Sequence, residues 1–181
     1  MPRSDGERPL RADARRNREL LLAAAREVFD EQGADASLDE IARRAGTGNA
    51  TLYRHFPTRR ELIVAVYASE VADLCAAGET GEEPGEALFG WLRAFIAHVA
   101  TKRDLAFAIS GDKETLYDEW HQAMRSTASA LLVRAQADGA VRATVTAADL
   151  LAVATGIAVS SADSDQAGRC LDLLRHGTTP G

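Results

Sequence analysis

The spacing of apolar side chains along the chain predicts an all-α protein. Apolar residues recur every three to four positions, which builds one buried face on a helix, and no alternating run is long enough to predict a strand. Glycine, proline and capping residues mark the predicted helix ends. These signals place helices at about 11–32, 38–45, 48–56, 59–77, 85–101, 113–137, 146–160 and 165–175, with a short separate segment at 105–110.

Three of the predicted helix starts carry a capping signature. A Ser or Thr is followed three residues later by an acidic residue at Ser37, Thr58 and Thr146. Such a pair can satisfy backbone N–H groups that the first turn of a helix leaves without partners. Before the first predicted helix, residues 1–10 are polar with two prolines, so we expect a mobile arm.

Composition narrows the class of protein. The chain has 181 residues, 46% of them hydrophobic and 27% charged, which fits one globular unit or two small ones that share a core. No apolar run approaches the ~18 residues of a membrane span, and the N-terminus lacks the apolar core of a signal peptide. Two cysteines are too few for a disulfide framework. We therefore expect a cytoplasmic protein without a membrane partner.

Charge is distributed unevenly along the chain. Residues 1–62 hold 12 basic and 11 acidic side chains, a net charge of +1, whereas residues 63–181 hold 9 and 16, a net charge of −7. The N-terminal part is thus better suited to a polyanionic partner than the rest of the chain. The signal is weak, because a net charge of +1 is not a basic patch.

Residues 37–56, SLDEIARRAGTGNATLYRHF, carry the functional signal. A short capped helix, a glycine turn and a second short helix form a helix-turn-helix pattern. In DNA-binding proteins the second helix of this motif enters the major groove and its N-terminal residues contact base edges. The side chains here suit that role, since they offer hydrogen-bonding groups, a methyl for thymine and a glycine for close approach. These residues are Thr47, Asn49, Thr51, Ala50 and Gly48.

Groups able to bind phosphate follow the predicted base-reading residues. Tyr53, Arg54 and His55 lie at the far end of the second helix, and Arg59 and Arg60 open the next one. A helix N-terminus and a guanidinium both favour a phosphate. Two short helices joined by glycine also occur in helical proteins that do not bind DNA, so the pattern alone leaves that alternative open.

The run of residues 15–62 resembles the DNA-binding domain of the TetR family of bacterial transcriptional regulators. The resemblance rests on features at the family's spacing: Leu21-Leu22, Ala24-Ala25 with Phe29, Gly33, Ile41-Ala42, Ala45-Gly46, Thr51-Leu52-Tyr53 and His55-Phe56. It implies a helical dimer with a three-helix DNA-binding domain at 11–62. It also implies a domain at 63–181 that holds an effector pocket and packs its last two helices against the partner.

The resemblance also implies roles for individual residues. The family's recognition helix matches residues 48–56, and its phosphate-contacting positions match Ser37, Tyr53, His55 and residues 58–60, which are Thr58, Arg59 and Arg60. Many members have Ser or Thr where this chain has Gly48, so Thr47 becomes the candidate for that phosphate contact. Because position 49 varies among members, we expect Asn49 to read a base, with adenine the natural partner of its amide.

The C-terminal part gives fewer signals. No metal constellation, nucleophile motif or phosphate-binding loop stands out, so we expect no cofactor, no metal and no enzymatic activity. Its aromatic and histidine side chains form either ordinary core or the lining of an effector cavity. The candidate lining residues are Trp91, Phe95, His98, Trp120, His121 and Met124.

The predicted helix at 146–160 is apolar nearly all round, so all its faces must be buried. A chain of this length is short for covering all of them by itself, which predicts a homodimer. The candidate interface residues are Leu150, Val153, Ala154, Ile157, Leu171 and Leu174.

The sequence therefore predicts a DNA-binding transcriptional regulator. The expected mechanism is a dimeric repressor that binds a palindromic operator on double-stranded DNA and leaves it when an unknown small-molecule effector binds. An activator, or a regulator controlled by a protein partner, remains an alternative, and a helical enzyme with an incidental helix-turn-helix is less favoured. A non-specific architectural DNA binder fits poorly, because the chain is acidic overall.

Overall fold

The computed structural model describes residues 7–78, 83–109 and 114–180, and the all-α prediction is confirmed. Throughout these ranges the regular structure is helical, without a strand. The helices are α1 (Glu7–Gln32), α2 (Leu38–Arg44), α3 (Asn49–His55), α4 (Arg59–Ala77), α5 (Pro84–Ile109), α6 (Glu114–Ala137), α7 (Ala147–Ser160) and α8 (Ser164–Thr178).

The start of α1 differs from the prediction. The helix begins at Glu7 rather than near residue 11, so residues 7–10 of the expected mobile arm are helical. Residues 1–6 lie outside the described residues. Pro9 had suggested irregular backbone, but it lies in the first turn, where the backbone N–H has no intrahelical partner to lose.

Helix α5 is continuous, and the prediction of two segments, 85–101 and 105–110, is wrong. No glycine or proline interrupts the chain between Thr101 and Leu105. Within this stretch Lys102 is 7% exposed, and its Nζ lies 2.9 Å from Oε1 of Glu70. A paired lysine can stay inside a buried helix face, so the helix continues through it.

The chain divides into two compact units, residues 1–67 with 104–109, and residues 68–103 with 110–181. In the first unit, α1 packs on α2 and α3, and α2 packs on α3. Apolar side chains from all three helices and from α4 are fully buried there. The largest of them are Leu21, Val28, Ile41, Leu52, Leu62 and Val66.

In the second unit, α7 packs against both α6 and α8. Its core is aliphatic and aromatic, with Leu88, Leu92, Leu131, Leu150 and Leu171 each 2% exposed or less. The predicted cap at the start of α7 is complete, since the Thr146 side chain accepts from the Asp149 N–H and the Asp149 carboxylate accepts from the Thr146 N–H.

Candidate nucleic-acid interface

The turn between α2 and α3 is fixed by its own backbone. The N–H of Thr47 donates to Ala42 O at 3.0 Å, and the N–H of Gly46 donates to Arg43 O at 3.1 Å. These two bonds form a Schellman motif, in which the residue after the helix adopts a left-handed conformation. Gly46 has φ +66°, which a side chain would disfavour. The glycine turn of the sequence pattern therefore has a defined geometry.

The start of α2 shows half of its predicted capping box. The Ser37 Oγ accepts from the Glu40 N–H at 3.4 Å. The Glu40 carboxylate does not complete the box. It instead accepts from Arg43 and Arg44, with Nε–O distances of 2.8 and 2.9 Å. The cap therefore depends on the hydroxyl, while the acid belongs to an ion-pair network.

That network joins α1 to α2 at the surface. Arg44 donates two hydrogen bonds to Glu31, at 2.7 and 2.6 Å, and a third to Glu40. The hydrogen bonds from Arg43 and Arg44 lower the pKa of Glu40 to about 2, and the Arg44 contact lowers the pKa of Glu31. Both carboxylates are therefore ionised near neutral pH, and their charges are balanced by the neighbouring guanidinium groups.

Helix α3 rests on apolar anchors. Leu52 is 1% exposed and Phe56 is 3% exposed, and both lie in the same core as Ile41 of α2. The guanidinium carbon of Arg18 lies 5.5 Å from the centre of the Phe56 ring, a cation–π contact from α1. With these side chains inward, the opposite face of α3 is held outward at a fixed orientation.

The residues predicted to contact DNA fall into two groups by exposure. The exposed group lies around the N-terminus and outer face of α3 and before α4, and it comprises Ser37, Gly48, Asn49, Ala50, Tyr53, Arg54 and Thr58. The half-buried group comprises Thr47, Thr51, His55, Arg59 and Arg60. Tyr53, at 48% exposure, is the one large hydrophobic side chain among the exposed group.

Two of the half-buried residues do not present the expected atom to solvent. The Thr47 Oγ1 and the His55 Nε2 are both buried without a hydrogen-bond partner among the described residues. Burial, with Arg54 and Arg18 nearby, lowers the pKa of His55, so the ring is neutral at pH 7. His55 can reach a phosphate only through its other ring nitrogen, and the Thr47 hydroxyl is not positioned to do so.

Arg59 has a structural role that its sequence context did not indicate. Its Nη1 donates to Ala34 O at 3.0 Å and to Ala36 O at 2.5 Å, which ties the turn after α1 to the start of α4. The neighbouring cap is as predicted, since Thr58 Oγ1 accepts from the Glu61 N–H at 3.2 Å. Part of the Arg59 guanidinium is thus committed within the protein.

One contact at the N-terminus of α3 was not predicted. The Asn49 Nδ2 donates to Asp39 Oδ1 at 2.7 Å, and both residues are exposed. Asp39 lies in the first turn of α2, ten positions earlier in the chain. No local sequence signal links two residues at that spacing, because only the helix-turn-helix geometry brings them together.

In the second unit, three candidate cavity residues are core. Trp91, Phe95 and Met124 are 2%, 6% and 4% exposed, and the Trp91 and Phe95 rings stack with centres 5.5 Å apart. The Trp91 Nε1–H donates to Leu74 O at 2.9 Å, near the C-terminus of α4. This bond satisfies one of the carbonyls that a helix end leaves without a backbone donor.

The other three candidates, His98, Trp120 and His121, are half-buried. Burial is the main cause that lowers the pKa of His98 to about 4, and the nearby charges of Lys102 and His121 add to it. A cavity of about 420 Å³ lies elsewhere in this unit. It is bounded by α5, by the C-terminal end of α7 and by the N-terminal part of α8. None of the six candidates lines it; Arg93, Ile96, Thr101, Ser161 and Leu171 do.

The chain alone buries one face of α7, and the cover of the remaining faces by a partner subunit stays a prediction. Leu150, Ala154, Ile157 and Leu171 are buried by their own chain, so they are not available to a partner subunit. Leu174 is half-buried. The opposite face of α7, with the small residues Ala152 and Gly156, is exposed in the single chain. The large apolar side chains exposed on α7 and α8 are Val153, Val159 and Leu173, at 45%, 56% and 72%.

No group of three or more His, Cys, Asp or Glu side chains within ranges 7–78, 83–109 and 114–180 is arranged to hold a metal ion. Across the same ranges, no helix is both long and apolar enough to span a membrane.

Comparison with known proteins matches both halves of the chain. Residues 21–66 match the family model of bacterial regulatory proteins of the tetR family, and residues 83–180 match the C-terminal domain of SbtR-like transcriptional regulators. The helix-turn-helix regulators TtgW and SrpR of Pseudomonas putida are each 46% identical over 59 residues, or 32% of this chain. Those matches span only 44% and 28% of the two relatives.

Solved structures extend the similarity over nearly the whole chain. The TetR transcriptional regulator SCO0520 of Streptomyces coelicolor is 41% identical, with a TM-score of 0.80 over 90% of this chain and 98% of that one. A TetR regulatory protein of Mycobacterium vanbaalenii is 35% identical, with a TM-score of 0.79 over 95% and 100%.

The capped α2, the Schellman turn and the outward face of α3 define a helix-turn-helix protein, and its relatives are transcriptional regulators. The chain belongs to the TetR family of bacterial regulatory proteins, and it is a DNA-binding transcriptional regulator.

Proposed function

We propose that this protein is a repressor that binds a palindromic operator as a homodimer and is released by a small-molecule effector. The observation that carries the proposal is the exposed N-terminal face of α3, held on the buried anchors Leu52 and Phe56. Recognition of a base pair needs a rigidly supported helix, because the contacting side chain must occupy the same position at every binding event. In this proposal residues 11–62 bind DNA and residues 63–181 bind the effector and the partner.

The proposed base contacts come from the first turn of α3. Asn49 and Ala50 are both exposed, which suits an amide for adenine and a methyl contact for thymine. Gly48 precedes the helix in an extended conformation, with no side chain to hold the backbone away from the groove. Thr51 is half-buried and lies behind these residues.

The proposed phosphate contacts surround that reading face. Exposed hydroxyl and guanidinium groups of Ser37, Tyr53, Arg54 and Thr58 are the best placed, together with Arg60 at the start of α4. His55 is proposed to contact a phosphate only through the ring nitrogen other than Nε2, because Nε2 is buried. The Thr47 hydroxyl is buried, so no phosphate contact is proposed for it, and Arg59 holds the turn after α1. Phosphate contacts of this kind fix register without reading sequence.

The proposed dimer uses the open face of α7 and α8. Val153, Val159 and Leu173 are exposed apolar side chains on these two helices, and the small Gly156 lies on the same side of α7. A second copy that covers them would remove apolar surface from water, which favours association. A two-fold dimer would present two α3 helices to successive major grooves, about 10 base pairs apart or somewhat more.

The proposed effector site is the 420 Å³ cavity of the second unit. Its wall is largely apolar, with Ile96 and Leu171, and it carries a few polar groups such as Thr101 and Ser161. That composition and size suit a small molecule. An effector that binds better to the conformation unable to bind DNA shifts the population away from DNA. A coupling of about 1–3 kcal/mol weakens operator binding roughly 5- to 150-fold.

The experiment that tests the proposal is selection from randomised DNA duplexes by the purified protein at near-physiological salt. A palindromic consensus is expected. Against that consensus, Asn49→Ala should cost about 1–3 kcal/mol at one base-pair position in each half-site and relax the preference there. Failure to enrich any motif, together with binding lost steeply as salt rises, would show backbone contacts alone and contradict the proposal.

A further inference from the structure

The contact between Asp39 and Asn49 joins the two helices of the DNA-binding motif at the point where α3 begins. Its Nδ2–Oδ1 distance of 2.7 Å is that of a strong, charge-assisted hydrogen bond. Asp39 does not belong to the Arg43, Arg44 and Glu40 network of the same helix. Both side chains are exposed, so the bond lies on the proposed DNA-reading surface.

The chemistry of this bond fixes the direction of the Asn49 amide. An ionised carboxylate can only accept hydrogen bonds, so the amide must turn its nitrogen toward Asp39. Rotating the amide by half a turn would place the Asn49 oxygen against the Asp39 carboxylate oxygen, and two acceptors repel each other. The carboxylate takes one amide hydrogen, which leaves Oδ1 and the second N–H of Asn49. An adenine edge needs one acceptor and one donor of this kind, for its N6 amino group and its N7.

We propose that Asp39 is a positioning residue that sets the base preference of Asn49. This inference rests on the proposed function, in which Asn49 reads a base. Asp39 holds the amide in one orientation before DNA arrives, so no ordering of the side chain is needed on binding. An unrestrained Asn49 could offer its donor and acceptor in either order, and its preference for adenine would be weaker.

The negative charge of Asp39 has a second effect, which is on affinity and not on base preference. A carboxylate beside the first turn of α3 repels the phosphate backbone of every sequence, because DNA binding is dominated by phosphate charge. That repulsion lowers the affinity for operator and random DNA by the same factor, so it leaves the preference among bases unchanged. The effect of the charge can therefore be separated from the effect of the hydrogen bond.

Two variants separate the hydrogen bond from the charge. Asp39→Ala and Asp39→Asn both remove the charge, but only asparagine keeps a side chain of the same size that can accept from Asn49. The asparagine amide can also donate, so it no longer enforces the direction. Preference at the Asn49 base pair is therefore expected to fall in the order wild type, Asp39→Asn, Asp39→Ala, while affinity for random DNA rises equally in both variants.

The measurement is competition binding between the selected operator and operators changed at single base pairs. Asn49→Ala is expected to lower the preference at its position by about 5- to 150-fold. Asp39→Ala should lower it by about 2- to 10-fold at the same position, the range of one hydrogen bond. In the Asn49→Ala background, Asp39→Ala should have no further effect on preference. Melting followed by circular dichroism checks that each variant is folded.

The outcomes distinguish the inference from the proposed function. If Asn49→Ala alters one position but Asp39→Ala does not, the positioning role is overturned and the base contact stands. A change of preference at a different base pair would also overturn it, because Asp39 would then be reading cytosine directly. If no operator is selected, or Asn49→Ala weakens all sequences equally, the proposed base contact fails and the positioning role fails with it.

Discussion

The two units of this protein use ion pairs in opposite surroundings. In the first unit, Arg44 lies 2.6 Å from Glu31 and 2.9 Å from Glu40 at the surface. In the second unit, Lys102 lies 2.9 Å from Glu70 with the two side chains only 8% and 12% exposed. The distances are similar, but the Arg44 network lies at the surface and the Lys102–Glu70 pair is largely buried.

This difference indicates what each unit depends on. Exposed pairs are screened by water and salt and contribute little to stability. The order of the first unit therefore rests on its caps and on anchors such as Leu52 rather than on its surface ion pairs. A buried charge without its partner is costly, so the second unit depends on matched polar groups inside it.

The largest effect on stability is expected from removing one partner of the buried Lys102–Glu70 pair. Lys102→Met should lower the free energy of unfolding by about 3–5 kcal/mol, because it removes the ammonium group that pairs with the buried Glu70 carboxylate. Urea denaturation followed by circular dichroism measures the change. Replacing both partners, Glu70→Leu with Lys102→Met, should recover most of the loss, since no uncompensated charge remains.

An exposed pair of the same unit provides the matched control. Glu86 pairs with Arg175 at the surface, and the Arg175 contact lowers the pKa of Glu86. Glu86→Gln should be far less destabilising than Lys102→Met. Equal effects of the two variants would mean that burial of the Glu70–Lys102 pair has no energetic consequence.

The second expected effect is a loss of stability in mild acid that originates in the second unit. The pKa of His98 is lowered from 6.5 to about 4, mainly by burial. Because the folded-state pKa is the lower one, stability is complete above pH 6.5 and falls as the pH approaches 4, when the unfolded chain binds the proton first. The fall should be on the order of 3 kcal/mol.

Chemical denaturation at about pH 7, 5.5 and 4 measures this fall, with His98→Gln as the comparison. The variant keeps a polar side chain that does not titrate, so its stability should change less over that range than that of the wild type. If the two proteins lost stability in parallel across the acid range, His98 would not be the group responsible.

The two units also differ in how much of their structure could be predicted from the sequence. In the first unit the Ser37 cap, the Gly46 turn and the Leu52–Phe56 anchors all depend on residues close in sequence, so their spacing was sufficient. The contacts that were missed, Asp39 with Asn49 and Arg59 with the turn after α1, form only when distant turns are brought together.

The second unit is governed by such long-range contacts. Lys102 is buried within α5, and its pairing with Glu70 on another helix could not be inferred from the spacing of residues in sequence. Likewise, the apolar composition of α7 did not indicate which face its own chain covers. Leu150 and Val153 are similar side chains three positions apart, yet one is 1% exposed and the other 45%.

The smallest effect on stability is expected from the surface network of the first unit. Its pH dependence should lie at lower pH than that of His98. Hydrogen bonds from Arg43 and Arg44 lower the pKa of Glu40 from 4.5 to about 2. Its contribution to stability is therefore present above pH 4.5 and is lost as the pH falls toward 2. Glu40→Gln should lower the melting temperature slightly at about pH 6, and the difference from wild type should shrink between pH 4.5 and 2. Added salt should reduce the difference near neutral pH, whereas a difference independent of salt and pH would point to the uncharged contacts of the side chain instead.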